Sequence, residues 1–188
     1  MKIFLSHDVS IESYRSLVPA NIEIADIAHN LSMQCRFNGA TAMFYSVAEH
    51  SVILMEMLSD LAEDAQRIAI LHDAHEAYIG DIVRPVRQFM GSVQIDQLCK
   101  ELDQHIYTKF GVSRQANTYI DVVKEMDTLL LHIEIHYFFK SYNISNIPMY
   151  PILKEQITKY TKRMQCLEHR EAEMEYLTAF KRLFPNAR

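Results

Sequence analysis

Leu71-His72-Asp73-Ala74-His75-Glu76-Ala77-Tyr78-Ile79-Gly80-Asp81 is the stretch on which the reading of this chain turns. Ile68, Leu71, Ala74 (or His75) and Tyr78 recur at the three- and four-residue spacing of a helix face. The pattern predicts one helix from Asp60 or Ala62 to Ile79, with Gly80 as its C-terminal stop. Upstream, Val47, His50, Leu54 and Met57 or Leu58 form one stripe of a helix from about Phe44 to Leu58. A polar loop, Gln34 to Thr41, separates it from a helix over Ile22 to Ser32, marked by Ile24, Ile27, Ala28 and Leu31. Residues 1–20 read as an irregular arm closed by Pro19.

Downstream, Asp81 to Arg87 reads as a short crossing segment broken by Pro85. Helices then follow from about Val93 to Phe110, ended by Gly111, and from about Arg114 to Phe139. One or two more end near Phe184. The expected fold is therefore all-α, a compact bundle of five to seven helices.

Composition supports that class. The chain has 188 residues, 49% of them apolar, which suits a single domain with a proper core spanning residues 1–188. A β-rich fold with frequent turns would use more than 4 Gly and 5 Pro. A net charge of −5 argues against a nucleic-acid polymer as partner, while leaving room for a small phosphate held locally. Cys35, Cys99 and Cys166 are odd in number, and no CxxC pair occurs, so they read as bystander thiols in a reducing compartment. Neither a signal peptide nor a membrane-spanning run is apparent, so the expected location is the cytoplasm.

Chemistry concentrates on acids and histidines. His72 and Asp73 are adjacent, and on a helix they point about 100° apart, so both reach one ion only over the edge between them. Mixed imidazole and carboxylate shells suit Mn, Fe, Co or Zn. His50 lies in an otherwise apolar stripe on the preceding helix, and Asp127 borders the run Leu129-Leu130-Leu131, where an unpaired charge is costly. Taken singly, each has an ordinary reading: a hydrogen-bonded core histidine, a solvated or capping acid, a chance dipeptide. Their shared order, His…His-Asp…Asp on successive helices, is what singles them out. His75, His132 and His136 read as bystanders. The HExxH, Pro-Cys-x-x-Cys and GxxxxGK[ST] patterns are all absent.

That order resembles the HD superfamily of metal-dependent phosphohydrolases, helical bundles built around a His…His-Asp…Asp metal site. The closer similarity is to HD-type 5′-deoxynucleotidases. It runs through Arg36-Phe37, Ala48-Glu49-His50, the His72 to Asp81 stretch, Pro85 and Arg87, within residues 24–131. Arg36-Phe37-Asn38-Gly39 and Tyr45 to His50 also look like the phage dATP triphosphohydrolases. The resemblance implies His50, His72, Asp73 and Asp127 as ligands of a divalent transition metal (Zn, Co or Mn). It implies Glu76 and Asp81 as catalytic acids, with Glu76 orienting a water one turn beyond Asp73. Arg36 and Arg87, with Arg84, would hold phosphates, while Phe37, Ile79 and Pro85 would wall the base or sugar. Phe37 stands where the family often has Trp, and Gly80 beside Ile79 departs from the polar or small residue of some members.

The implied activity is release of deoxyadenosine and triphosphate from dATP. The alternatives are 5′-deoxynucleotidase action on monophosphates, or an HD module that binds without catalysis. An alarmone or cyclic-nucleotide hydrolase fits Gly80-Asp81 before Pro85 less well, and a di-iron oxygenase would need further histidine ligands. The other partners expected are no membrane and a second copy of the chain, as a dimer or hexamer, in the host cytoplasm if phage-encoded.

Overall fold

The computed structural model describes residues 17–91, 93–143, 145 and 154–187 in full, and the backbone alone at 3–4, 10–11 and 150–153. The N-terminal arm falls largely outside these residues. Its described part pairs β1 (Ile3–Phe4) with β2 (Ser10–Ile11), antiparallel, with Ile3 opposite Ile11. Among the described residues all other named elements are helical, and the class is all-α as read from the sequence.

Helix α1 (Ile24–Met33) buries Ile27, Ala28 and Leu31, the face its spacing marked. Helix α2 (Val47–Met57) starts three residues later than expected. Cys35 and Ser46 form an isolated antiparallel bridge that holds the entering chain extended, and Ser46 Oγ then caps the helix by accepting from Glu49 N–H at 3.1 Å. Of its residues all but Glu56 are buried, so α2 is the central helix of the bundle rather than a surface helix with one apolar stripe.

The helix expected to run unbroken to Ile79 is two helices. Helix α3 (Glu63–Leu71) gives way to a turn through residues 72–75, and α4 (Glu76–Ile79) follows. Across the junction the N–H groups of Ala74, Glu76, Ala77 and Tyr78 bond to carbonyls three residues back, at 3.1, 2.9, 3.2 and 3.0 Å. This is 3₁₀ bonding, in which side chains three apart eclipse, so Asp73 and Glu76 are aligned more closely than an α-helix would align them. Gly80 ends α4 at φ +83°, as its position predicted.

Residues 84–89 also differ from expectation. They form a short helix α5 (Arg84–Phe89) with Pro85 in its first turn, where a missing N–H costs nothing, so Pro85 starts a helix and does not break one. Helices α6 (Val93–Lys109), α7 (Ser113–Phe138), α8 (Tyr150–Thr161) and α9 (His169–Leu183) follow the predicted spans. The split at residues 72–75 and the extra α5 explain why the helices exceed the expected five to seven. Among the described residues, no helix is long and apolar enough to cross a membrane.

Helix α9 closes the bundle. Ala172, Tyr176, Phe180 and Leu183 are buried, and Tyr176 Oη donates to the Ile70 carbonyl at 2.7 Å, pinning α9 to α3. The loop before α9 is anchored by Glu49, whose carboxylate accepts from the N–H groups of Gln165, Cys166 and Leu167 at 2.8, 3.1 and 2.9 Å. Glu49 therefore spends its charge on tertiary structure, one residue before His50.

Candidate metal centre

Three elements bring His50 (α2), His72 and Asp73 (the α3–α4 junction) and Asp127 (α7) to one place. Each imidazole is oriented from behind. His50 Nδ1–H donates to Glu134 Oε1 at 2.6 Å, and His72 Nδ1–H donates to the Ala69 carbonyl at 2.8 Å. Because both of those partners only accept, Nδ1 carries a proton in each ring, and Nε2 is the atom left to face an ion.

Those nitrogens face carboxylates. His50 Nε2 lies 3.2 Å from Asp127 Oδ1 and 3.7 Å from Asp73 Oδ2; His72 Nε2 lies 3.0 Å from Asp73 Oδ2 and 3.9 Å from Asp127 Oδ1. Neither buried Nε2 has a hydrogen-bond partner among the described residues. His50, His72 and Asp127 offer ligand atoms all within 4.8 Å of one another, so this group could hold a metal ion, and Asp73 stands beside it. Two nitrogens with carboxylate oxygens make a donor set for a divalent transition ion.

Electrostatics say the same. Burial and the Arg36 guanidinium both oppose a charge on His50, yet Glu134 and Asp127 prevail and raise it to about 9. Burial would lift Asp73, but His72 and His50 outweigh it and hold the carboxyl well below its usual range. Asp127 is lowered in the same sense, against its burial, by His50 and then His72. The pocket is thus built to place positive charge between acids.

Glu76 behaves differently. Burial, and then the carboxylates of Asp73 and Asp81, push it well above the ordinary range, and its Oε2 has no hydrogen-bond partner among the described residues. These surroundings favour the protonated carboxyl beside the candidate ligands. Asp81 is also raised, first by burial, and it lines the same cavity. Asp81 does not cap the helix that follows it, because Val83 is the N-cap residue of α5. Gln34 fixes this turn by donating to the Glu76 carbonyl at 2.9 Å and accepting from Asp81 N–H at 3.0 Å.

Two cavities meet at Asp73, His75, Arg84, Arg87 and Asp127. The first, about 590 Å³, has Asp73, Glu76, Asp81 and Asp127 at one end and Phe37, Ile82, Val83, Pro85, Leu131 and Phe139 as apolar wall. The second, about 890 Å³, lies along α6 and α7 and is lined by Lys100, Gln104, Asn117 and Lys124, with the unpartnered hydroxyl of Tyr107.

Several expected contacts stand elsewhere. Ile79 does not line either cavity, because it lies on the side of α4 that packs against the core, and Ile82 and Val83 take the wall position. His75 does not face away: it lines both cavities, with Nδ1 donating to Asp103 at 2.9 Å, since the junction rotates it towards α6. Arg36 is buried, with Nη2 on Glu134 at 2.7 Å and Nη1 4.0 Å from Asp73. Arg84 reaches Asp127 Oδ2 at 3.5 Å, and Arg87 Nε donates to Asp96 at 2.7 Å, so both arginines already have acidic partners. His132 lies outside the linings of both cavities and shares a hydrogen bond of 2.8 Å with the Tyr142 hydroxyl. Cys35, Cys99 and Cys166 are free thiols.

Glu134 is the residue sequence reading missed. Fully buried, it joins His50, Arg36 and, through an acceptor contact of 2.8 Å, the Tyr45 hydroxyl. Its signal was its place seven residues after Asp127, two turns on along the same face of α7.

No protein-family model matches the chain. It is 34% identical over 123 residues to an uncharacterized protein of Rhodobacter capsulatus, an overlap of 62% of this chain and 62% of that protein. It is 32% identical over 121 residues to the uncharacterized protein YfdR of Escherichia coli, covering 64% of each. The matched region is therefore less than two thirds of the length of either relative.

Proposed function

We propose that this chain is an HD-type, divalent-metal phosphohydrolase that cleaves the phosphoester at the 5′ oxygen of a deoxynucleotide, with dATP as first substrate. The observation that carries the reading is the convergence of two imidazole nitrogens, Asp73 and Asp127 beside a cavity that offers both apolar wall, from Phe37, Ile82, Val83 and Pro85, and the cations Arg36, Arg84 and Arg87. A cation held by His50, His72, Asp73 and Asp127 would polarise a phosphoryl oxygen and make a water more acidic.

The chain's own groups supply the rest. Glu76 takes or gives a proton at its free Oε2, and Asp81 shares that proton's field. As water adds to phosphorus and the P–O5′ bond breaks, the proton lost by water ends on the departing 5′ oxygen. Arg36 cannot wander, because Glu134 holds one edge of its guanidinium, and its charge stabilises phosphate at a fixed place. Arg84, 62% exposed at its side chain, is free to exchange Asp127 for a phosphate oxygen.

The second cavity supports a triphosphate product, since Lys100, Lys124 and Arg84 line a space contiguous with the ligands. One observation favours 5′-deoxynucleotidase action instead: Arg87, a cation expected on the distal phosphates, is bound to Asp96. The deciding experiment gives purified protein Mn, Co or Zn with deoxy- and ribonucleotides carrying one or three phosphates, and separates the products chromatographically. Deoxyadenosine with intact triphosphate is the expected outcome; a tenfold preference for dAMP selects the monophosphatase. Asp73→Ala should lose metal and turnover, whereas Glu76→Ala should lose turnover and keep the metal. Bound metal without turnover on any nucleotide would leave a binding module.

A further inference from the structure

Resting on the reading of the first cavity as a nucleotide site, we propose that Asn38 reads the hydrogen-bonding edge of the base and sets which deoxynucleotide is used. A nucleobase is a flat, uncharged heterocycle with adjacent donors and acceptors along its edge. Apolar walls grip its faces but do not tell one base from another, because selection requires a polar contact that a wrong base leaves unpaired. Among the described residues lining this cavity, the charged groups are Arg36, Arg84, Arg87 and the acids at the metal end, with His75 beside them. Asn38, exposed at the rim, is the uncharged side chain there with both a donor and an acceptor, and no hydrogen bond among the described residues occupies its amide.

The backbone fixes where this side chain leaves the chain. Phe37 and Asn38 are consecutive left-handed residues, at φ 55° and 53°, a conformation that aromatic residues avoid and asparagine tolerates. The turn is imposed from both sides. Arg36 N–H donates to the Tyr45 carbonyl at 2.8 Å, Ala40 N–H donates to the Phe37 carbonyl at 3.0 Å, and the Phe37 ring rests on Phe139 at 5.5 Å between centroids. A strained turn held by its surroundings and lying on a cavity wall is a way to present a side chain without cost at the moment of binding. The ordinary reading is that Asn stands here only because it accepts positive φ, and the two readings separate cleanly by substitution.

Asn38→Gly keeps the backbone conformation and deletes the amide. Asn38→Asp keeps much of the tolerance for positive φ and replaces the donor with a second acceptor. An amide pairs with adjacent donor and acceptor atoms, as on adenine, whereas a carboxylate pairs with two adjacent donors, as N1–H and N2–H₂ of guanine. With the metal-loaded protein, kcat/KM is measured for the adenine, guanine, cytosine and thymine deoxynucleotides, and thermal melting verifies folding. Asn38→Gly should flatten the ranking of bases. Asn38→Asp should move the guanine-to-adenine ratio upward by about tenfold or more. An unchanged ranking in Asn38→Asp, or a flat ranking in the unaltered protein, overturns the assignment while leaving the phosphohydrolase reading intact. Failure of the unaltered protein to hydrolyse any nucleotide overturns both.

Discussion

Glu134 is the residue on which most of the centre depends. It accepts from Arg36, Tyr45 and His50, and Arg36 and His50 hold it ionised against complete burial. Glu134→Gln keeps the shape and removes the charge, leaving the buried Arg36 guanidinium without its counterion. The expected loss of stability is about 3–5 kcal/mol, read from urea denaturation. Because Glu134 orients His50, affinity for Zn or Mn should also fall by about 10–100-fold by titration calorimetry. Equal affinity in the variant would mean that packing alone holds the imidazole. Cys166 offers a pH-dependent check. Burial, and then the Glu49 carboxylate, push its thiol up to about 11. Only the thiolate reacts with iodoacetamide, so labelling of the Cys166 peptide should climb with each pH step until about 11. A plateau near pH 9 would show that the thiol is not shielded in solution.

At the scale of the element, the tightened junction between α3 and α4 is what makes adjacent residues useful to one site. It lets His72 and Asp73 face the ligand cluster while His75 turns to Asp103 and Glu76 eclipses Asp73. Gly80 then reverses the chain at φ +83°, and a Cβ added there would meet nothing within 4 Å. Gly80→Ala therefore costs backbone strain alone, about 1–2 kcal/mol, visible as a lower melting temperature. Relief of that strain moves Asp81 and the Gln34 clamp, so turnover should fall while bound metal stays near one equivalent. Loss of metal in Gly80→Ala would place the turn, not only Asp81, in the support of His72 and Asp73.

For the whole molecule, α9 supplies the closing wall behind the ligand-bearing helices. Tyr176, Phe180 and Leu183 are buried against α1, α2 and α3, and Arg67 Nε donates to the Leu183 carbonyl at 2.9 Å. Fully buried apolar side chains contribute roughly 1.5–3 kcal/mol each, and several of them rival the whole stability of a typical domain, about 5–15 kcal/mol. A chain ending before His169 should show no cooperative thermal transition by circular dichroism. A sharp transition in that truncated chain would mean that α1 to α8 form a core of their own.

The sequence by itself determined the helical class, most helix spans, the stops at Gly80 and Gly111, and the four candidate ligands in their order. These are legible because periodicity, glycine geometry and residue chemistry are properties of neighbours along the chain. Only the tertiary structure decided that Glu134, 84 residues from His50, holds its imidazole, and that Glu49 anchors a loop 116 to 118 residues away. It also decided that Arg87 is bound to Asp96, that Ile79 belongs to the core, and that α2 is buried on nearly all sides. The physical reason is that a side chain's partner is set by which helices pack together, and local spacing carries no record of the residue on the facing helix.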